Sequence, residues 1–179
     1  YLGRLAARAG DPVIRRALVQ AMRILGRQFV MARTIEEALE RAAGPDYGTD
    51  LYSFDMLGEA AHSAADAGHY FDAYDHAIDA LSAIAREQGS NGDIVRAPGI
   101  SVKLSALHPR YEYAQRRRVM EELVPRLKEL ASKACDGGIG FTVDAEEADR
   151  LDLSLDAFEA VSANLDPGWE GFGLAVQAY

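Results

Sequence analysis

The sequence predicts an α/β fold: the amino-terminal half of a TIM-like (β/α)8 barrel, with about four βα units that follow a group of helices. From residue 51 onward, short apolar runs typical of strands alternate with longer segments of helical periodicity, which favours a parallel sheet. Each predicted strand also carries a polar or charged residue near its carboxyl end, where barrels collect functional groups. A small doubly wound sheet is the alternative, but no G-x-G-x-x-G sequence follows a strand.

The first part of the chain is predicted to be helical. Asp11-Pro12 fits a helix start, because a capping acceptor precedes proline in the first turn. Apolar residues then recur at helical spacing over 13–25 and form one broad face. Thr34 and Glu37 match a capping box that opens a short helix through residue 43. The loop at 44–46 ends it.

Residues 1–47 are therefore expected to be a helical lead-in, and residues 48–179 to hold the βα units. The predicted strands are 51–57, 100–107, 139–143 and 171–179. The predicted helices between them are 69–87, 111–133 with a break or kink at Pro125, and 147–163 in two pieces that meet near Ser154. The glycines at 137 and 138 are expected to stop the second of these helices.

The composition excludes some functions. The chain has 19 basic and 28 acidic residues and a net charge of -9, so it is a poor electrostatic partner for nucleic acid phosphates. Cys135 is the single cysteine, which excludes an internal disulfide and fits a reducing compartment. We expect it to be a small, partly buried side chain rather than a catalytic thiol. No apolar run is long enough to span a bilayer.

Lys103 is the most informative candidate for a functional residue. In the predicted strand, Ser101, Lys103 and Ser105 share the face that points into the barrel. A buried ammonium group needs a partner or a function. We expect an ion pair with Asp55 or Asp144, which is compatible with a role in function.

The other candidates lie near the remaining strand ends. Asp144 and Glu146 share a parity and can both face the barrel mouth, or Asp144 caps the next helix. Asp55 and Glu59 are four residues apart and can share a helix face, although Glu59 can equally be solvated. Gln177 can hydrogen-bond a heterocycle. Histidines 62, 69 and 76 are expected at the surface and His108 in a loop at the barrel mouth; together they show no metal-ligand pattern.

Long segments of the chain resemble one enzyme family. They are AMRILGRQFV (21–30), YSFDMLGEAA (52–61), GISVKLSALHPRY (99–111), VDAEEADRLDLSL (143–155) and GFGLAVQAY (171–179). Their order and spacing resemble the proline dehydrogenase domain of the bifunctional proline utilisation A proteins. The resemblance implies a distorted βα-barrel that holds FAD and oxidises L-proline to pyrroline-5-carboxylate by hydride transfer, with a quinone as electron acceptor. Many members carry a second, NAD-dependent domain, and some carry a DNA-binding domain; neither is expected in this chain.

The resemblance also implies roles for single residues. Lys103 matches a lysine that contacts the substrate carboxylate, and Glu59 matches an acidic residue that pairs with an arginine over the closed site. Asp144 and Ala145, followed by Glu146, match a strand end that lines the flavin and substrate pocket. Gln177 matches a glutamine near the flavin ring. Asp55 lies at a matching strand end, where we expect it to belong to the catalytic group.

The resemblance further implies a cytoplasmic parent protein, free or peripheral to the inner membrane, that is a homo-oligomer. Tyr1 has no methionine before it and Tyr179 ends an apolar run, so we expect a fragment. The family's paired arginines and later flavin contacts come from strands and helices beyond this segment, so the chain alone is expected to be inactive. Two other functions stay open: an aldolase-like barrel in which Lys103 forms a Schiff base, and a non-catalytic scaffold domain.

Overall fold

The computed structural model describes residues 2–45, 50–56, 58 and 60–178. It divides the chain into two compact units, Tyr1–Gly48 and Thr49–Tyr179. The first unit holds helices α1 (Leu2–Phe29) and α2 (Ile35–Ala42). The N-cap of α2 is at Thr34 as predicted, and Oγ1 of Thr34 accepts the N–H of Glu37 at 3.3 Å. The capping box is not complete, because the Glu37 carboxylate accepts the N–H of Arg33 at 3.2 Å instead of the N–H of Thr34.

The predicted helix start at Asp11-Pro12 is wrong, because α1 runs through both residues. A proline in a helix removes one backbone donor, and here the helix continues past it. The predicted apolar stripe is on α1, but its large side chains are exposed: Ile14, Leu18, Met22 and Leu25. No helix among the described residues is both long and apolar enough to cross a membrane.

The second unit is built on a parallel sheet with strand order β1-β2-β3-β4, as the alternating pattern predicts. Its strands are β1 (Ser53–Asp55), β2 (Gly99–Val102), β3 (Gly140–Val143) and β4 (Phe172–Leu174). Its helices are α3 (Ala64–Glu87), α4 (Leu104–Leu107), α5 (Arg116–Gly137) and α6 (Leu151–Ser162). Short 3-10 turns at Tyr113–Gln115 and Ala148–Arg150 precede α5 and α6.

The core of this unit lies between one face of the sheet and helices α3, α5 and α6. Alternate strand residues such as Ile100, Val102, Phe141 and Val143 are fully buried. The residues between them are partly exposed and form a polar face, on which the hydroxyl oxygens of Ser53 and Ser101 lie 3.2 Å apart. The helices bury their apolar stripes, including Leu81, Leu123, Leu127, Leu130 and Leu153.

Two strands end earlier than predicted. The prediction of a strand over 100–107 is wrong in its second half, because β2 ends at Val102 and the chain turns into α4. The prediction over 171–179 is wrong beyond β4, whose last ladder bond runs from the N–H of Ala175 to the carbonyl of Val143. In both places the neighbouring strand β3 has ended, so the ladder on that side has no further partner. β1 is also shorter than the predicted 51–57; Leu57 lies outside the described residues.

The helices differ from prediction mainly at their ends. Helix α3 begins five residues before the predicted residue 69, and α5 continues through Pro125 without ending there. The two pieces of the last helical segment meet at Arg150 rather than near Ser154. Cys135 in α5 is partly buried, as expected, and burial raises the pKa of its thiol.

The start of α3 is explained by a capping box that the apolar periodicity of the sequence does not reveal. Oγ of Ser63 accepts the N–H of Asp66 at 3.1 Å, and Oδ2 of Asp66 accepts the N–H of Ser63 at 3.0 Å. The same carboxylate accepts the N–H of His62 at 3.1 Å. The S-x-x-D spacing is the available signal, and it satisfies donors that a helix start leaves unpaired.

Replacing Ser63 by alanine should lower the free energy of unfolding by about 1 kcal/mol, because the Asp66 N–H loses its side-chain acceptor. The shift of the urea midpoint, followed by circular dichroism, measures this cost. Ser162→Ala is the matched control, since Ser162 is an exposed serine in the last turn of α6, where no N-terminal donors lie. Equal shifts for the two variants would contradict the capping role.

Candidate active site

Lys103 follows β2 directly, and its ammonium group lies between two carboxylates. Its Nζ donates to Oδ2 of Asp55 at 2.7 Å and to Oδ2 of Asp144 at 2.8 Å. The lysine side chain is 12% exposed, against 23% for Asp144 and 38% for Asp55. The sequence predicts an ion pair with one of the two aspartates, and the structure has both. We call these three residues the charged triad.

The sheet register brings the charged triad together. Asp55 is the last residue of β1, and Lys103 and Asp144 directly follow the ends of β2 and β3. The final residues of β2 and β3, Val102 and Val143, are paired and point into the core. The next residue along each strand therefore points to the opposite, polar face. The carboxyl ends of neighbouring parallel strands meet there, as in βα-barrels.

Electrostatics keep the lysine charged. Burial alone would lower the pKa of Lys103, but its hydrogen bonds to Asp144 and Asp55 outweigh that effect and raise the pKa above its usual range. One ammonium and two carboxylates leave the charged triad with a net charge of -1. The triad therefore favours a neighbouring positive charge, while the ammonium itself can still direct an anionic group.

Tyr74 supports the lysine from the helix side of the sheet. Its hydroxyl oxygen accepts the backbone N–H of Lys103 at 3.3 Å, and the tyrosine is fully buried in α3. Burial raises the pKa of Tyr74 to about 12, so its phenol stays protonated at neutral pH. The sequence pattern places Tyr74 only on an apolar helix face. The signal in the sequence is that the hydroxyl of a buried tyrosine needs a hydrogen-bond partner, which indicates a contact beyond apolar packing.

Glu146 is held by two partners behind the charged triad. Its Oε1 accepts the N–H of Ser105 at 2.8 Å, and its Oε2 accepts from Nη1 of Arg150 at 3.0 Å. The carboxylate side chain is 7% exposed. Ser105 does not follow strand parity as predicted, because it lies in α4 rather than in a strand. Glu146 therefore links the end of β3 to the turn that follows β2.

A pocket opens at the carboxyl ends of β3 and β4. It is lined by Asp144, Ala145, Glu146 and Gln177, the residues that the resemblance assigns to cofactor binding. Leu174, Ala175 and Val176 form an apolar wall of the same pocket. The structure thus brings two separately predicted sites, the strand end at 144–146 and Gln177, to one cavity. Such a cavity combines an apolar wall with a few polar groups, which is typical of small-molecule sites.

The structure tests the predictions for two of the remaining candidates, Asp144 and Gln177, but not the prediction for Glu59. The alternative in which Asp144 caps the next helix is wrong, since Glu147 and Arg150 occupy the cap positions of the two helical pieces. Gln177 lies beyond the end of β4 and is exposed, yet it still lines the pocket. Glu59 lies outside the described residues, so its position relative to Asp55 stays a prediction.

The histidines take no part in this pocket. Those at 62, 69 and 76 are exposed, as predicted. His108 is buried: its Nδ1 accepts the N–H of Arg110 at 3.1 Å, so its Nε2 carries the proton and donates to Oε2 of Glu122 at 3.1 Å. Within the described residues, no group of His, Cys, Asp and Glu side chains could hold a metal ion.

Comparison with known proteins gives a consistent result. The family model for proline dehydrogenase matches residues 38–179. The bifunctional protein PutA of Klebsiella aerogenes is 49% identical over 179 residues, which are 99% of this chain and 13% of that protein. The chain therefore spans only a small part of the relatives it matches.

Solved structures match as well. A crystal structure of a variant of proline utilization A from Bradyrhizobium japonicum has a TM-score of 0.71 and 53% identity, over 99% of this chain and 18% of that one. Proline utilization A from Bdellovibrio bacteriovorus, in a crystal structure of the enzyme inactivated by N-propargylglycine, has a TM-score of 0.82 and 22% identity, over 93% of this chain and 18% of that one. These matches confirm the predicted barrel-like α/β fold.

Proposed function

The chain belongs to the proline dehydrogenase family, and from this premise we propose that it forms part of an FAD-dependent enzyme that oxidises L-proline to pyrroline-5-carboxylate. This reaction is the first step of proline catabolism to glutamate. The observation that best supports the proposal is the placement of the charged triad beside the pocket, with Asp144 belonging to both.

The residues that line the pocket suit contact with one edge of a flavin ring. We propose that Asp144, Ala145 and Gln177 contact the cofactor, while Leu174 and its two neighbours form an apolar surface for a flat aromatic face. The amide of Gln177 can both donate to and accept from the polar edge of a heterocycle. Glu146 shapes the pocket wall, because its carboxylate oxygens already accept from Ser105 and Arg150. When bound, FAD would supply the hydride acceptor.

Lys103 is proposed to contact the proline carboxylate. A lysine ammonium has three donors, and here two of them are directed by Asp55 and Asp144. These bonds fix the position of Nζ and keep it charged, so the group is preorganised before substrate arrives. The net negative charge of the triad means that further cations must help to hold a carboxylate. The resemblance places such cations, a pair of arginines, in later segments of the family's barrel.

The same net charge suits the reaction itself. Once the proline nitrogen has released a proton to solvent, the ring carbon beside it can lose a hydride, which leaves a cationic iminium group in the product. A fixed net charge of -1 at the triad stabilises positive charge that develops nearby. We therefore keep Asp55 and Asp144 as catalytic candidates. Glu59 is also kept as a catalytic candidate, because the resemblance implies that it pairs with an arginine over the closed site.

The two other functions are not favoured. A Schiff-base lysine must lose its proton to act as a nucleophile, so such lysines have a lowered pKa. The pKa of Lys103 is raised by its two carboxylates, which opposes that chemistry. A scaffold without catalysis would have no need of a buried charged triad beside a pocket.

The domain organisation follows from the same proposal. Residues 1–47 would be a helical lead-in, and residues 48–179 the first four βα units of the catalytic barrel. Because the chain spans 13% of the length of its Klebsiella aerogenes relative, the remaining features are properties of a longer protein. We propose for that protein a homo-oligomer and a quinone as electron acceptor.

The test uses the natural full-length protein that contains this chain. Its flavin absorption should bleach when L-proline is added without oxygen, and a soluble quinone should then restore it. D-Proline, which has the same groups in the opposite configuration, is the matched control. A bound flavin that L-proline leaves unbleached would contradict the substrate. A folded protein that binds no flavin would contradict the cofactor and favour the Schiff-base or scaffold function.

A further inference from the structure

Ser105 joins its own segment to two others around the charged triad. Its Oγ accepts the N–H of Ala60 at 3.2 Å, and its carbonyl oxygen accepts the N–H of Ala61 at 2.9 Å. Its own N–H donates to Oε1 of Glu146 at 2.8 Å. The residue is buried in α4, the helical turn that begins directly after Lys103.

Each of these segments carries one member of the triad. Ala60 and Ala61 follow the end of β1, which holds Asp55, and Glu146 follows the end of β3, which leads to Asp144. Ser105 itself lies two residues after Lys103. Ser105 therefore links the three segments that follow β1, β2 and β3. Each linked residue lies no more than six positions along the chain from a member of the triad.

The segment after β1 needs such an anchor. Ala60 has a φ of 51°, in the left-handed region that a non-glycine residue occupies only at a cost. Gly58 is packed so closely on Tyr70 that a Cβ at this glycine would clash with Cε1 of the ring. A strained residue persists only where its surroundings hold it, and here the two bonds to Ser105 do so.

We propose that Ser105 is a positioning residue: its hydrogen bonds to Ala60, Ala61 and Glu146 hold the three strand ends in register and thereby fix Lys103 between Asp55 and Asp144. This inference rests on the proposed function, in which Lys103 contacts the substrate carboxylate. Ser105 does not touch the substrate itself. Its effect should therefore appear in substrate binding more than in the chemical step.

Replacing Ser105 by alanine in the natural full-length protein should raise KM for L-proline by about 10-fold, because the Ala60 N–H loses its acceptor and the segment that follows Asp55 relaxes. The value of kcat should change by less than about 3-fold, and flavin content and absorption spectrum should be unchanged. Deuterium exchange of a peptide spanning residues 58–61 should become faster. If Ser105→Ala only made the protein less stable, it would not raise KM while leaving kcat nearly unchanged.

Ser90→Ala is the matched control. Ser90 is also a buried serine, but its Oγ donates to the carbonyl oxygen of Ala85 in the last turn of α3 and contacts neither the pocket nor the segment after β1. The KM of this variant and the exchange of its 58–61 peptide should stay within about 2-fold of the natural protein. An equal rise in KM for both serine variants would overturn the proposal.

A second substitution tests the cause. Glycine adopts the left-handed conformation without the cost that alanine has, so Ala60→Gly combined with Ser105→Ala should restore KM to within about 3-fold of the natural value. If Ser105→Ala alone does not fold, the double variant is measured, and its failure to fold or to bind L-proline overturns the proposal.

The exchange measurement separates this proposal from the function on which it rests. If L-proline does not bleach the flavin of the natural protein, the proposed substrate is wrong. Unchanged exchange of the 58–61 peptide in Ser105→Ala would instead show that Ser105 does not hold this segment, whatever the substrate is.

Discussion

Replacing Lys103 by methionine should lower kcat/KM for L-proline by about 100-fold or more, close to 3 kcal/mol of transition-state stabilisation. Methionine keeps much of the side-chain length but removes the ammonium group. Asp55 and Asp144 then lose the cation between them and repel both each other and a substrate carboxylate. Steady-state kinetics of the natural full-length protein measures the loss, and flavin absorption shows whether cofactor is still bound.

Lys133 provides a matched control. Its Nζ also bridges two aspartates, with Oδ1 of Asp75 at 2.6 Å and Oδ2 of Asp79 at 2.8 Å, but it joins α5 to α3 on the helix side of the sheet. It is 29% exposed, and such ion pairs contribute little to stability. Lys133→Met should leave kcat/KM within about 2-fold of the natural value. A similar loss in both variants would mean that Lys103 acts through stability alone.

The effect of Lys103→Met should not depend on pH. Two carboxylates raise the pKa of Lys103, so the ammonium is charged at every pH below its ordinary pKa and loses its proton only at more alkaline pH. The ratio of natural to variant kcat/KM should therefore stay constant from about pH 6 to about pH 9. A ratio that falls steeply as pH rises in this range would indicate a lysine that titrates, as Schiff-base chemistry requires.

The sequence is sufficient to predict an ion pair of Lys103 with Asp55 or Asp144, although not that both aspartates bind the lysine, because that site depends on a simple geometric rule. Side chains alternate along a strand, and parallel strands end at a common edge, so the amino-acid pattern alone groups Asp55, Lys103 and Asp144. The match of GISVKLSALHPRY and the other long segments to one family then identifies the pocket residues.

Strand ends cannot be predicted in the same way, because they depend on neighbours distant in sequence. The alternation of apolar and polar residues from 100 to 107 is typical of one strand, yet its second half has no ladder partner once β3 ends at Val143. That half becomes α4, and Ser105 moves from the predicted barrel face to a position where it joins three segments. The role of Tyr74 is hidden for a similar reason, since its partner is a backbone group 29 residues away.

Replacing Gly138 by alanine should lower the free energy of unfolding by about 3 kcal/mol or more. This substitution removes no contact, so the loss comes from the added methyl group alone. The glycine pair at the end of α5 is the helix stop that the sequence predicts, and Gly138 is its C-cap with a φ of 68°. What the sequence cannot reveal is the backbone opposite it. A Cβ at residue 138 would lie 2.6 Å from the backbone nitrogen of Gly92.

Gly89→Ala separates the two causes of this loss. Gly89 has nearly the same φ, 67°, but nothing lies within 4 Å of the position of its Cβ. It should cost about 1 kcal/mol, the effect of the left-handed conformation alone. The remainder of the Gly138→Ala loss then measures the clash with Gly92, whose N–H also donates to the Gly138 carbonyl at 2.9 Å. Urea midpoints give both values. Equal midpoint shifts for Gly138→Ala and Gly89→Ala would mean that the loop at residues 91 and 92 moves aside readily. Its contact with Gly138 would then not help to hold β3, the strand that leads to Asp144.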